Sequence, residues 1–200
     1  MELENGSIAI SGSPEHVDVK ISQSVPNMRN ETKTVTTSTL NVGPVLLFFP
    51  DMNNKTFEHV AIPRKMVLSS SAGSGSGTIK LVQSPSVSVS SSGVISSVIG
   101  NEIVIVYNDN ETNVDRSEGE KTVATKSAGD LALVEALVDK DRKLSYRKVV
   151  SESRDKRAAY YLGNSIPNSA SSIIFPIGKQ GLGFNAWKTF YTNWCFLQIK

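Results

Sequence analysis

Between Pro44 and Pro50 the chain carries five large hydrophobes in a row, Val45 to Phe49. A short run that is apolar on both parities is what a strand covered on both faces requires. It is entered through Gly43-Pro44 and ends at Pro50-Asp51, where proline removes a ladder donor. Ile103 to Tyr107 (IVIVY) repeats the pattern. Elsewhere the period is two. Val17, Val19 and Ile21 alternate with polar residues in HVDVKIS, Thr34 to Thr39 is β-branched almost throughout, Ile79 and Leu81 share a parity in TIKLV, and so do Val87 and Val89 in SVSVS. Each is expected to be a strand. The fold class is therefore mainly β, an antiparallel β-sandwich or jelly-roll-like sheet, with one or two helices in the C-terminal half.

At 200 residues a single domain, 1–200, is the simplest organisation. The hydrophobic fraction of 39% and charged fraction of 20% are lean, while Ser, Thr and Asn are frequent from end to end, which favours strands and polar loops. A net charge of +2 creates no overall field, so nucleic-acid or membrane binding would have to come from local clustering. One cysteine, Cys195, excludes an intrachain disulfide. The acidic start MELENGS lacks a signal-peptide layout, and no apolar run approaches the roughly 20 residues that span a bilayer, so an intracellular location with no transmembrane segment is expected.

Residues 1–125 form the β-rich core. Within it SSSAGSGSG, 69–77, is expected to be a mobile connection, and Asn108 to Lys126 an exposed acidic one. A helix is expected next, because Ser127 and Asp130 have capping-box-like spacing and Leu131, Val134, Leu137 and Val138 recur at helical intervals. It opens a helical basic segment, 126–160, in which Lys140, Arg142, Lys143, Arg147, Lys148, Arg154, Lys156 and Arg157 outnumber Asp141, Glu152 and Asp155. A C-terminal aromatic segment, 161–200, closes the chain. There Trp187, Phe190, Tyr191 and Trp194 fit a helical face, while their density suits a strand equally.

No catalytic or metal motif stands out. His16 and His59 belong to no HExxH, and no Cys or carboxylate set completes a zinc spacing, so structural or surface roles are expected. Cys195 in WCFL sits in an apolar setting that suits a buried small hydrophobe. Neither SGSGSG nor Gly178 to Gly183 has phosphate-loop spacing, and the second is expected to be a flexible loop. No GxSxG elbow is present. No enzyme activity, metal or cofactor is expected. The basic cluster is the candidate site: its cations would contact phosphates, and Tyr146, Tyr160 and Tyr161 could stack on single-stranded bases. The alternative is a solvated helical face with internal ion pairs to Asp141, Glu152 and Asp155.

The stretch LNVGPVLLFFPDM resembles the hydrophobic core element of plant-virus cell-to-cell movement proteins of the 30K superfamily. SGSGTIKLVQS is similar to that family's next landmark, with Gln83 standing where the family usually has an aspartate. The resemblance covers roughly residues 35 to 110 and points to a short, divergent member of the kind encoded by plant rhabdoviruses or tombusvirus relatives. It implies a non-enzymatic protein that binds single-stranded RNA or viral nucleoprotein through the eight cations named above. It also implies self-association, contacts with host plasmodesmal or membrane-associated proteins, and residence in the cytoplasm and at cell junctions, where it promotes transport through plasmodesmata. The rival expectation is a self-assembling viral structural protein, a small capsid or matrix protein, whose serine-rich strands and C-terminal aromatic segment would serve assembly.

Overall fold

The computed structural model describes residues 1–23, 34–75, 78–82, 93–117, 119–125, 131–152, 158–160, 162, 166–169, 172–180 and 190–198. In chain order its strands are β1 (Ile10–Gly12), β2 (Glu15–Gln23), β3 (Thr34–Val42), β4 (Val45–Asp51), β5 (Thr56–Ile62), β6 (Met66–Gly75), β7 (Thr78–Val82) and β8 (Val94–Ile99). They continue with β9 (Glu102–Asp109), β10 (Ala132–Val138), β11 (Leu144–Glu152), β12 (Ala158–Tyr160), β13 (Ile166–Ser169), β14 (Ser172–Gln180) and β15 (Phe190–Gln198). The protein is mainly β and every strand pair is antiparallel.

Four sheets result, ordered β1-β4-β5, β11-β10-β9-β8, β2-β3-β6-β7, and a last one in which β14 pairs with β12, β13 and β15. The first and third are continuous through the chain. Strand β1 runs into β2, β3 into β4 and β5 into β6, and each crossing carries a proline: Pro14, Pro44 and Pro63. Proline cannot donate to a ladder, so pairing is interrupted at the same level on three adjacent strands. The crossings are tied together. Gly43 N donates to Pro14 O at 2.9 Å, and Ser13 Oγ donates to Gly43 O at 3.1 Å and Pro44 O at 2.8 Å. A β-carbon on Gly43 would lie 2.8 Å from Pro14 Cγ, which explains the glycine. Gly43-Pro44 therefore marks the point at which a ribbon leaves one sheet and enters another.

The main core lies between the first two sheets. Val45, Leu47, Phe49 and Ile62 pack in one cluster with Ile103, Ile105, Tyr107, Val134 and Val138. The opposite face of β9 and β10 contributes Val104, Val106 and Leu133, which pack with Leu162 in a second cluster. Ile103 to Tyr107 is thus buried on both parities, as its composition requires. Val45 to Phe49 is not. Val45, Leu47 and Phe49 are buried while Leu46 and Phe48 are partly exposed, so the run has one covered face and one half-open face.

Four other expectations are corrected. The expected helix at 131–138 is strand β10, paired with β9 on one side and β11 on the other. LALVEALV is apolar at almost every position, which satisfies a helical stripe and a doubly buried strand alike. Burial on both faces decides for the strand over the helix propensity of Leu and Ala. The basic segment that follows is likewise no helix where it is described, since Leu144–Glu152 is strand β11. The serine-glycine stretch is no loose connection up to Gly75, because β6 pairs with β3 from Val42↔Met66 to Thr34↔Ser74. Its backbone completes the ladder that the long β-branched strand β3 offers, whatever its side chains. Gly178, Lys179 and Gln180 likewise end strand β14, and Phe190–Gln198 is strand β15. Val87, Val89, Ser127, Asp130 and Trp187 lie outside the described residues. Among the described residues no helix is long and apolar enough to cross a membrane.

Candidate nucleic-acid interface

The first half of the basic cluster forms the turn between β10 and β11. Asp139 organises it: Oδ1 accepts from Asp141 N at 2.9 Å and Lys143 N at 3.0 Å, while Asp139 N donates to Lys143 O at 2.9 Å. Arg142 takes a left-handed backbone, φ 61°, which costs an L-residue roughly 1–2 kcal/mol. Two contacts offset that strain. Its Nη1 donates to Glu58 Oε2 at 2.6 Å, and its guanidinium carbon lies 5.1 Å from the Phe49 ring centre. The turn is therefore clamped onto β5 and the end of the main core, leaving Lys140 and Lys143 exposed.

Arg147 and Lys148 are engaged by partners within the fold. Arg147, partly buried, donates from Nη1 to Pro63 O at 3.3 Å and from Nη2 to Arg116 O. Lys148 Nζ pairs with Glu135 Oε1 at 2.6 Å, and the same oxygen accepts from Tyr146 Oη at 2.9 Å. Glu135 is the lone acid on β10 and is 5% exposed, so these partners are what make its burial tolerable. The Glu135 hydrogen bond also raises the Lys148 pKa, and burial followed by Glu135 raises that of Tyr146. Arg154, Lys156 and Arg157 lie outside the described residues, as does Tyr161.

Beneath Arg147 lies a buried polar group that the sequence did not announce. Arg64, on the β5–β6 crossing, is 2% exposed, and Tyr107 and Asp109 on β9 are equally enclosed. Burial pulls the Arg64 pKa down to about 10, opposed chiefly by the charge of Asp109. Burial pushes Asp109 up to about 6 against the pull of its Asn113 hydrogen bond, and raises Tyr107 as well. Asn113 ends a 3-10 turn, Glu111–Asn113, capped by Asn110, whose Oδ1 accepts from Thr112 N at 3.1 Å. The Asn113 amide donates to Asp109 Oδ1 at 2.9 Å and Val123 O at 2.8 Å, and its Oδ1 accepts from Val123 N at 2.7 Å. Thr125 then bridges Met66, with Thr125 N donating to Lys65 O and Val67 N to Thr125 O, both at 2.9 Å. The acidic connection is therefore exposed only along its outer side and is laced to the core by Asn113 and Thr125. Asn113→Ala is expected to cost about 1–3 kcal/mol by taking the hydrogen-bond partner from the buried Asp109 carboxyl and from the Val123 backbone. Urea melts would measure it, and accelerated hydrogen exchange at Val123 should accompany it.

The outer face of the β1-β4-β5 sheet supplies what the basic turn lacks. Register places Phe48 opposite His59 and Pro50 opposite Phe57, so Phe48, Phe57 and His59 share the face away from the core. Phe48 and Phe57 meet edge to face at 5.7 Å between centroids, and Phe48 and His59 lie 6.4 Å apart at 34°. Phe57 is 63% exposed. Sequence reasoning passed over these residues because Phe48 sits inside a run that looked wholly buried. The usable signal was Phe57 and His59 two apart in TFEHVAI, which period two puts on one face. His16, by contrast, is exposed on β2 with Nε2 2.9 Å from Asp18 Oδ1. Among the described residues no three His, Cys, Asp or Glu side chains converge as a metal site. Comparisons with protein-family models, curated proteins and solved structures found no match to this chain.

Proposed function

We propose that the chain is a non-enzymatic movement-type protein of a plant virus, which binds single-stranded RNA or viral nucleoprotein and promotes its passage through plasmodesmata. One arrangement carries this reading: the cationic turn Lys140 to Lys143 is clamped at Glu58 and Phe49 to one face of β5, an outer strand whose other face carries Phe57 and His59 with Phe48. Cations that engage phosphate and aromatic rings that stack on bases, on the two faces of one edge strand, are the two parts of sequence-tolerant single-strand binding. The two stretches that resemble the 30K superfamily fall on β3–β4 and β6–β7, within a mainly antiparallel β body that the resemblance also implies. In this reading the β1-β4-β5 and β11-β10-β9-β8 sheets are the layers of a jelly-roll-like sandwich.

Among the described cations of the cluster, Lys140 and Lys143 carry the phosphate contacts, whereas Arg142, Arg147 and Lys148 are engaged by partners within the fold. Lys140→Ala with Lys143→Ala should reduce the salt slope of oligoribonucleotide binding by about 1.4, from roughly 0.7 per single-strand contact. Phe57→Ala should weaken binding about 5-fold to 150-fold through one lost stack. Fluorescence anisotropy at several salt concentrations reads both, and unchanged slope and affinity would remove the RNA assignment. Transport itself is tested in leaf cells carrying a fluorescent viral replicon that lacks its movement gene: foci spreading beyond single cells support the reading, and confinement of an accumulating protein overturns it.

A second reading, a self-assembling viral structural protein, is favoured by the exposure of β2 along its whole length. Regular particles in electron micrographs of the purified protein would shift the assignment to it.

A further inference from the structure

All nine residues of β2 are exposed, and β2 is the outer strand of its sheet, paired with β3 alone among the described residues. Val17, Val19 and Ile21 are 56%, 61% and 65% exposed and, being two apart, stand on one face. On that face Val17 lies opposite Leu40 of β3 and Ile21 opposite Thr36. A long exposed edge with an apolar face is a template for another strand.

We propose that a second copy of this chain occupies this edge, β2 pairing antiparallel with its own symmetry mate about a two-fold axis at Val19. The sequence EHVDVKISQ is self-complementary in that register. Val19 faces the mate's Val19, Val17 faces Ile21, and Asp18 faces Lys20 twice, once on each side of the axis. Shifting the axis to Asp18 or Lys20 sets like charges opposite each other, and shifting it to Val17 or Ile21 leaves both Asp18 and Lys20 without an opposite charge across the seam. Edge charges ordinarily discourage indiscriminate strand pairing, and here one register alone turns them into attraction. Because residue i meets residue 38 − i, parity is kept, and Val17, Val19 and Ile21 of one copy share a face with those of its mate. The Asp18 carboxylate is already oriented on its face: Oδ1 lies 2.9 Å from His16 Nε2 and Oδ2 accepts from Asn41 Nδ2 at 2.8 Å. The interface joins two four-stranded sheets into one and is isologous, so it closes as a dimer.

This interface does not depend on the transport reading, since a carrier or a structural protein could use it. The test is a charge swap followed by sedimentation equilibrium of the full chain at low salt, with circular dichroism reporting folding. The wild type should be dimeric. Asp18→Lys alone and Lys20→Asp alone should each weaken association about tenfold or more, and the double swap, which restores both pairs, should recover it. In a Cys195→Ser background, Val19→Cys should form an intermolecular disulfide, since facing residues have Cα atoms about 4.5–5.5 Å apart. Ile21→Cys should not, because its symmetry mate lies about 14 Å away. A folded monomeric wild type, a dimer indifferent to the single swaps, or cross-linking of Ile21→Cys in preference to Val19→Cys would each overturn the proposal.

Discussion

Phe49→Ala is expected to destabilise the protein by about 3–5 kcal/mol, the usual cost of removing an aromatic ring from a core. Phe49 is 2% exposed and lies in the cluster shared by the β1-β4-β5 and β11-β10-β9-β8 sheets, so its cavity would open between the layers. It is also the surface on which the Arg142 guanidinium rests. Truncation should therefore loosen the basic turn as well as the core, and under the proposed function RNA binding should fall more than the lost stability alone explains. Arg142→Ala provides the contrast. Its pair with Glu58 is largely exposed, so its loss should cost less than about 1 kcal/mol. Urea denaturation of the two variants measures both. A Phe49→Ala cost below about 1 kcal/mol would mean that the two sheets are not packed through β4.

The second large effect is a pH dependence set by Asp109, whose carboxyl is raised from 3.8 to about 6 by burial. Its sign is opposite to that of an ordinary paired carboxylate. Below pH 3.8 both folded and unfolded states hold the proton and the group contributes nothing. As pH rises the unfolded chain ionises first, so stability falls until the folded pKa near 6 is passed, and it remains lower above it. A shift of about two units corresponds to roughly 3 kcal/mol. Asp109→Asn keeps an oxygen for the Asn113 amide and cannot ionise. The stability of the wild type relative to this variant should therefore decline by about that amount between pH 3.5 and 6.5 and be level above. Urea melts at a series of pH values give the difference directly, in which the other carboxylates cancel. A level or rising difference would mean that Asp109 is better solvated or more tightly paired than its enclosure implies.

Strand positions were the part of this protein written locally. Period two in HVDVKIS, the β-branched run from Thr34 and the proline-bounded Val45 to Phe49 each specify an extended backbone from residues within a few positions of one another. The prolines even mark the three crossings at which the ribbon passes from one sheet to the next. What composition could not settle was which of two compatible periods would be used. LALVEALV satisfies helical spacing and a doubly buried strand alike, and only the presence of β9 and β11 on either side selects the strand. The fate of the cations was equally nonlocal. Arg142 meets Glu58, Arg147 meets Pro63 and Arg116, and Lys148 meets Glu135, partners as many as 84 residues away, so no reading of the run itself could separate clamps from free charges. Phe48, Phe57 and His59 came together only through the register of β4 on β5. The sequence by itself determined that this chain would be extended, antiparallel and rich in polar strands, because backbone geometry follows from near neighbours. Tertiary structure alone decided which faces are covered, because burial depends on residues distant along the chain.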